Sequence, residues 1–295
     1  MTSEKVEGNN MNKNAKLAVT TTKIIPETKE KIKVEKKITI DISGRKNNFK
    51  LSKNNKSVII FDLDGTILDS INMFNEIYSK LLKNITNKTI STEQIQDDWD
   101  DFRKNSNEEG NIVDNFLLYL DKKYSLEAHD IQDLRKKYQE ISYSYQITEL
   151  QYKKYAGKVL KELKRQGYTL VLATLSTKDE IDIYNDKSKK LYKEFKIYDI
   201  FNLVLTNEDV KEKKPNPEIY LEVIKRLNVS KEDCLIIEDS IQGIQAANAA
   251  GIEVVNIEEK GSYKYQKLID ELCDYKFNSL KDLYETILIS DILPE

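Results

Sequence analysis

Val58-Ile59-Ile60-Phe61-Asp62-Leu63-Asp64-Gly65-Thr66 is the stretch that decides the fold. Four apolar residues end abruptly in two carboxylates and a glycine. A short continuous apolar run with turn residues after it reads as a buried strand. Side chains repeat every second residue along a strand, so Asp62 and Asp64 leave the tip on the same side and Leu63 points away. Two acids together at such a tip repel each other, and a bound cation would resolve the repulsion. A solvated turn, where Asp and Gly are common, accounts for Asp64-Gly65 but not for an acid directly after Ile-Ile-Phe.

Downstream, the chain changes character twice. Between 71 and 149 it is helical in pattern. Ile71, Phe74, Ile77, Tyr78, Leu81 and Leu82 recur at three- and four-residue steps, and further helices are expected from about 91 to 102, 111 to 122 and 126 to 145. The stripe Tyr138, Tyr143, Tyr145 reads as packing and interface rather than a ligand box. From 150 onward strand and helix alternate. Thr169–Ala173, Phe201–Leu205, Cys234–Ile237 and Glu253–Asn256 are apolar strand candidates, with a short last one at Tyr275–Phe277 and charged helix expected over 178–196. Gly167 suits the end of a helix, and Pro215 and Pro217 suit the start of one. The expected fold is therefore α/β: a Rossmann-like parallel sheet covered by helices on both faces, with an all-helical insertion after the first strand.

Upstream, residues 1–30 are polar and mixed, without a helical period, and disorder is expected there. Ile32, Val34, Lys36, Ile38, Ile40 and Ile42 alternate as in a half-buried strand, available to extend a sheet edge of the body or of a partner. Residues 45–56 read as a basic linker. The expected division is an N-terminal extension at 1–55, a core formed by 56–70 with 150–295, and a helical cap at 71–149.

Composition bounds the chemistry. The 295 residues are 39% hydrophobic and 33% charged, enough for a sizeable core. No apolar run approaches the roughly 20 residues that span a bilayer. The opening residues lack an apolar signal core, and no Arg precedes Arg45, so a cytoplasmic protein with no membrane partner is expected. Cys234 and Cys273 form neither a disulfide framework nor a metal-ligand pattern. His129 is the single histidine, which leaves acid–base work to carboxylates, Lys or Tyr. The net charge of −3 divides unevenly, with +8 on residues 1–56 and −11 on the rest. The acidic body argues against a nucleic-acid partner, and a monomer is expected.

Each candidate strand ends, or nearly so, in a useful group: Asp62 and Asp64, then Thr174, then Lys214 ahead of a helix, then Glu238 and Asp239. Open parallel sheets bind ligands at the carboxyl ends of their strands, so segments spread over the chain converge on one crevice. Hard oxygen ligands suit Mg²⁺, and Lys with Thr suits phosphoryl oxygens. Singly, Thr174 could be a turn residue, Lys214 a surface charge and Glu238-Asp239-Ser240 a helix cap. Coincidence does not account for all four in this order.

With these residues in place, the sequence resembles the haloacid dehalogenase superfamily. Asp62-Leu-Asp64-Gly65-Thr66, continuing through Asp69-Ser70, matches its first motif, Thr174 the second, Lys214-Pro-Asn-Pro-Glu-Ile-Tyr the third, and Glu238-Asp239-Ser240 the fourth. The resemblance covers about 57–290, and the insertion is similar to the small helical cap of the phosphoglycolate phosphatase and β-phosphoglucomutase branch. It implies a Mg²⁺-dependent phosphatase of a small phosphorylated metabolite, such as a sugar phosphate or phosphoglycolate. It implies Asp62 as nucleophile, Asp64 as acid and base, and Thr174, Lys214, Gly65 and Thr66 at the phosphate. Asp62, the backbone carbonyl of Asp64 and Asp239 would hold the metal, supported from behind by Glu238 and Ser240. The acid at 64 separates the chain from the dehalogenases. No histidine follows the first motif, where Phe74 stands, which weighs against a mutase. A sugar-phosphate mutase and a non-catalytic binding protein are the competing readings. Arg103, Lys104 and the loop 105–110 are candidate substrate-facing groups.

Overall fold

The computed structural model describes residues 4–7, 16–23, 34–41, 49, 51–52, 56–105, 111–126, 130–259, 262 and 265–292. The chain divides into two units, Met1–Phe49 and Lys50–Glu295. In the first, β1 (Glu4–Glu7), β2 (Lys16–Lys23) and β3 (Val34–Asp41) form an antiparallel sheet in the order β1-β2-β3. Lys16 pairs with Asp41, and Lys23 with Val34. The disorder expected over 1–30 is thus corrected at two segments. Ala18-Val19-Thr20-Thr21-Thr22 carries a run of β-branched residues whose strand preference outweighs the polarity of its surroundings. The alternating stretch forms β3 within this small sheet. His129 and most of the loop 105–110 lie outside the described residues.

The second unit begins with β4 (Val58–Phe61), buried throughout. Four helices follow: α1 (Ile71–Thr86), α2 (Thr92–Asn105), α3 (Ile112–Tyr124) and α4 (Ile131–Thr148). Then come α5 (Ala156–Arg165), β5 (Thr169–Ala173), α6 (Lys178–Asp182), a π-helical turn at Ile183–Lys187, α7 (Leu191–Glu194), α8 (Ile197–Ile200), β6 (Leu203–Leu205) and α9 (Glu218–Leu227). The chain closes with β7 (Cys234–Glu238), α10 (Ile241–Ala250), β8 (Glu253–Ile257), α11 (Gln266–Leu272), β9 (Tyr275–Phe277) and α12 (Leu280–Ile292). The six strands are parallel, in the order β6-β5-β4-β7-β8-β9. Alternate side chains leave opposite faces of a strand, and both faces are covered. Val58, Ile60, Val171, Ile236 and Val254 pack with Ile219 and Val223 of α9 and Ile244 and Ala247 of α10, while α5 and α12 pack with each other and against β5 and β9. Burial of this kind contributes about 25 cal/mol for each Å² of apolar surface. No helix among the described residues is long and apolar enough to cross a membrane.

An aromatic cluster ties α1–α4 together. Tyr78 is fully buried, with its ring 4.9 Å from Phe116, 5.0 Å from Tyr138 and 5.8 Å from Trp99. Trp99 stacks on Phe116 at 3.8 Å. Of the tyrosine stripe, Tyr138 and Tyr145 are buried and Tyr143 is exposed. Asp98 is also buried and accepts from Tyr124 Oη at 2.6 Å, Lys123 Nζ at 2.7 Å and Gln94 Nε2 at 3.0 Å. The two connections to the sheet run side by side: Asp69 N donates to Gln151 O at 3.0 Å and Lys153 N to Ile67 O at 2.9 Å.

The charged helix expected over 178–196 is broken. After α6 the backbone widens into the π-helical turn and leaves the helical path at Ser188. Lys189 N then donates to Ile147 O of α4 at 2.8 Å, and Lys190 Nζ reaches Glu149 O at 3.0 Å. Phe195 stacks on Tyr152 at 3.9 Å, and Glu194 Oε1 accepts from Gly157 N at 3.2 Å. Asn185-Asp186-Lys187-Ser188 contains weak helix formers, and a hydrogen bond outside the helix replaces the one that continuation would make.

Candidate active site

Pairing of the three central strands sets the site. Phe61 lies level with Leu172 on one side and Ile237 on the other, and Asp62 N donates to Ile237 O at 3.0 Å. The residues that follow β4, β5 and β7 therefore emerge together. From the segment before α9, Lys214 reaches into their midst. Its Nζ donates to Asp62 Oδ1 at 2.6 Å, Glu238 Oε1 at 2.7 Å and Ala173 O at 3.1 Å, so one ammonium spans the ends of all three strands.

Glu238 is completely buried and its acceptors are well occupied. Oε1 takes Lys214 and, at 2.9 Å, Tyr220 Oη. Oε2 takes Asp239 N, Ser240 N and Ser240 Oγ, each at 3.1 Å. Ser240 Oγ in turn caps α10 through Gly243 N at 3.0 Å. A Cβ at Gly243 would stand 1.8 Å from Glu238 Oε1, so glycine here makes room for the carboxylate. Asp239 Oδ1 accepts from Thr66 Oγ1 at 2.7 Å, and the Asp239 carbonyl from Ser262 Oγ at 3.0 Å. At Gly65, φ is +83° and a Cβ would lie 2.3 Å from Asp239 Oδ2, which makes glycine necessary on both counts.

Ligand atoms of Asp62, Glu238 and Asp239 lie within 4.8 Å of one another, close enough to hold one metal ion. Since Lys214 takes Asp62 Oδ1 and Thr66 takes Asp239 Oδ1, each of these acids keeps its second oxygen. The electrostatics fit a cation. Burial first, then Glu238, pushes the Asp62 carboxyl well above its usual range, against the pull of Lys214. Asp239 is pushed up to about 8, again by burial first and then by Glu238. Burial works against the Lys214 ammonium, but Asp62 and Glu238 outweigh it and hold its pKa well above the ordinary lysine value. Acids whose charge is this poorly accommodated are what a divalent ion relieves.

The Asp64 carboxylate stands outside this trio, and its Oδ2 accepts from Ser176 Oγ at 2.6 Å. Thr174 is fully buried. Its Oγ1 accepts from Ser176 N at 3.0 Å, which leaves its own proton to donate. The hydroxyl of Thr66, a candidate for the phosphate, is engaged with Asp239. Ser176, Tyr220 and Ser262 are participants that the sequence reading missed. For Ser176 a signal existed, since it follows Thr174 by two residues at a strand end.

Residues 59–257 match the family described as haloacid dehalogenase-like hydrolase. A haloacid dehalogenase-like hydrolase domain-containing protein of Arabidopsis thaliana is 27% identical over 257 residues, covering 78% of either chain. The phosphorylated carbohydrates phosphatase of Thermotoga maritima is 49% identical over 53 residues, 18% of this chain and 24% of that one. The crystal structure of a HAD family hydrolase from Deinococcus radiodurans, with bound phosphate and sodium, superposes with a TM-score of 0.61 at 18% identity. It covers 81% of this chain and 98% of that one, a likeness of fold. The matched region runs from β4 through β8 and takes in every strand-end residue described above, so the chain belongs to the haloacid dehalogenase-like hydrolases.

Proposed function

We propose that the chain is a Mg²⁺-dependent phosphomonoester hydrolase that acts on a small phosphorylated metabolite through an aspartyl-phosphate on Asp62. One observation carries this reading: a buried acid at a strand tip is fixed by a lysine on one oxygen while its other oxygen stays available beside Asp239. Phosphatases among the relatives, including one named for phosphorylated carbohydrates, support the substrate class.

In this reading Asp62 attacks phosphorus, and the bond from phosphorus to the ester oxygen breaks. Asp64 gives its proton to the departing oxygen, so the product leaves as an alcohol. Water then attacks the aspartyl-phosphate, Asp64 takes up its proton, and phosphate departs with Asp62 restored. Lys214, the Thr174 hydroxyl and the amides after Asp62 stabilise charge on the transferring oxygens. Asp62 and Asp239, with the backbone carbonyl of Asp64, would hold Mg²⁺, which supplies positive charge against the repulsion between Asp62 and the phosphoryl group. Glu238 holds Lys214 in place. Helices α1–α4 act as a cap that excludes water during the chemistry.

The test is release of inorganic phosphate from a panel of small phosphomonoesters, with Mg²⁺ and with EDTA, by the native chain and by Asp62→Asn. Metal-dependent release that falls by at least about a thousandfold in the variant is the expected result. Equal release by both chains would sink the reading.

A further inference from the structure

Beside Asp64, one wall of the site is built from groups that the proposed reaction does not use. Ser176, bonded to Asp64, is followed by Thr177, which caps α6. The capping is reciprocal. Glu180 Oε2 accepts from Thr177 N at 2.8 Å and Thr177 Oγ1 at 3.0 Å, and Glu180 N donates to Thr177 Oγ1 at 3.2 Å. Tyr184, four residues further on and so on the same face as Glu180, is almost completely buried. The π-helical turn that carries it packs against α4, which brings Tyr138.

The Ser176-Thr177 step ties Asp64 to Glu180 through consecutive residues, and the groups act on one another electrostatically. Burial first, then Asp64, Glu180 and Tyr138, pushes the Tyr184 phenol well up. At Glu180, burial pushes the carboxyl up, the Thr177 bonds hold it down, and Asp64 and Glu208 push it up as like charges. The leaving oxygen turns toward Asp64 in the proposed reaction, so the leaving group lies against this wall. The wall offers the Glu180 carboxylate beside the Ser176 hydroxyl. Capping α6 uses one oxygen of Glu180 and needs no negative charge, since glutamine serves in a capping box as glutamate does. Among the described residues no donor takes Glu180 Oε1.

We infer that Glu180 selects the leaving group, accepting a hydroxyl of a neutral polyol such as a sugar and turning away esters whose leaving group carries a second anion. This rests on the phosphomonoester hydrolase reading. A like charge brought into a partly buried acidic wall meets a repulsion that water screens poorly, and specificity follows from that unfavourable contact as much as from the favourable one.

The experiment measures kcat/KM for phosphate release from glucose 6-phosphate and ribose 5-phosphate, and from phosphoglycolate and glucose 1,6-bisphosphate. It uses the full chain with Mg²⁺ at one pH and ionic strength, native and Glu180→Gln, with melting curves to show that the variant is folded. The native chain is expected to favour the first pair by about tenfold or more, a like-charge penalty of the size set by Coulomb's law at partial burial. Glu180→Gln is expected to narrow that ratio by speeding the anionic esters. A native chain with no preference for neutral leaving groups overturns the assignment whatever the variant does, and so does a ratio that Glu180→Gln leaves unchanged. Absence of release from every ester overturns the hydrolase reading and the assignment with it.

Discussion

Asp239 shows what the site costs the fold when no cation is bound. Its carboxyl keeps a proton up to about pH 8 in the folded chain, against an ordinary value of 3.8. Folding therefore takes up a proton between those values, and stability falls as pH rises through that window. A cation that binds the ionised form reverses the slope. Thermal melting in EDTA is expected to give a midpoint that drops from pH 5 to pH 8, and added Mg²⁺ to raise the midpoint most at pH 8; a metal effect independent of pH would contradict this. The acids themselves were legible in the sequence, because Asp62, Glu238 and Asp239 interrupt apolar runs where a strand must end. Ser176 carried only the weak signal of its place two residues after Thr174, and Tyr220 none, because a tyrosine in a helix looks ordinary until the topology brings it to a carboxylate.

Beside the aromatic core of α1–α4, one buried acid joins α2 to α3. Asp98 gathers Gln94 from its own helix with Lys123 and Tyr124 from the end of α3. Asp98→Ala leaves the half-buried Tyr124 phenol and the exposed Lys123 ammonium without their acceptor. The expected loss is about 2 kcal/mol, as for lost hydrogen bonds to a charged group, measured by urea unfolding. A loss within experimental error would show that α2 and α3 are held by ring packing alone. At this scale the existence of the helices was legible from their three- and four-residue steps. The break after Asp182 was not. Periodicity continues through Ile183 and Leu191, and the weak helix formers at 185–188, with the amide of Lys189 drawn to Ile147, end the helix. The helix α11 was missed too, since its seven residues are too few for a period to show.

For the molecule as a whole, the parallel sheet and the convergence of four segments followed from continuous apolar strands separated by helices, while the strand order came from the structure. Of the first 49 residues the alternating stretch that forms β3 was legible, while β1 and β2 were not, because polar composition masked a β-branched run. All the strand-end acids, with Thr174 and Lys214, belong to the unit Lys50–Glu295. Deleting residues 1–47 is therefore expected to leave phosphate release within about twofold of the full chain, as for a domain with its own core; loss of activity would assign the N-terminal sheet a part in catalysis. The segment that departs from α6 has a consequence for motion. A lid on two linkers can swing as a rigid door. Here the contact of Lys189 with Ile147 and the stacking of Phe195 on Tyr152 add a third fastening beside the hinge. A door fastened so close to its pivot flexes at its free edge instead of turning.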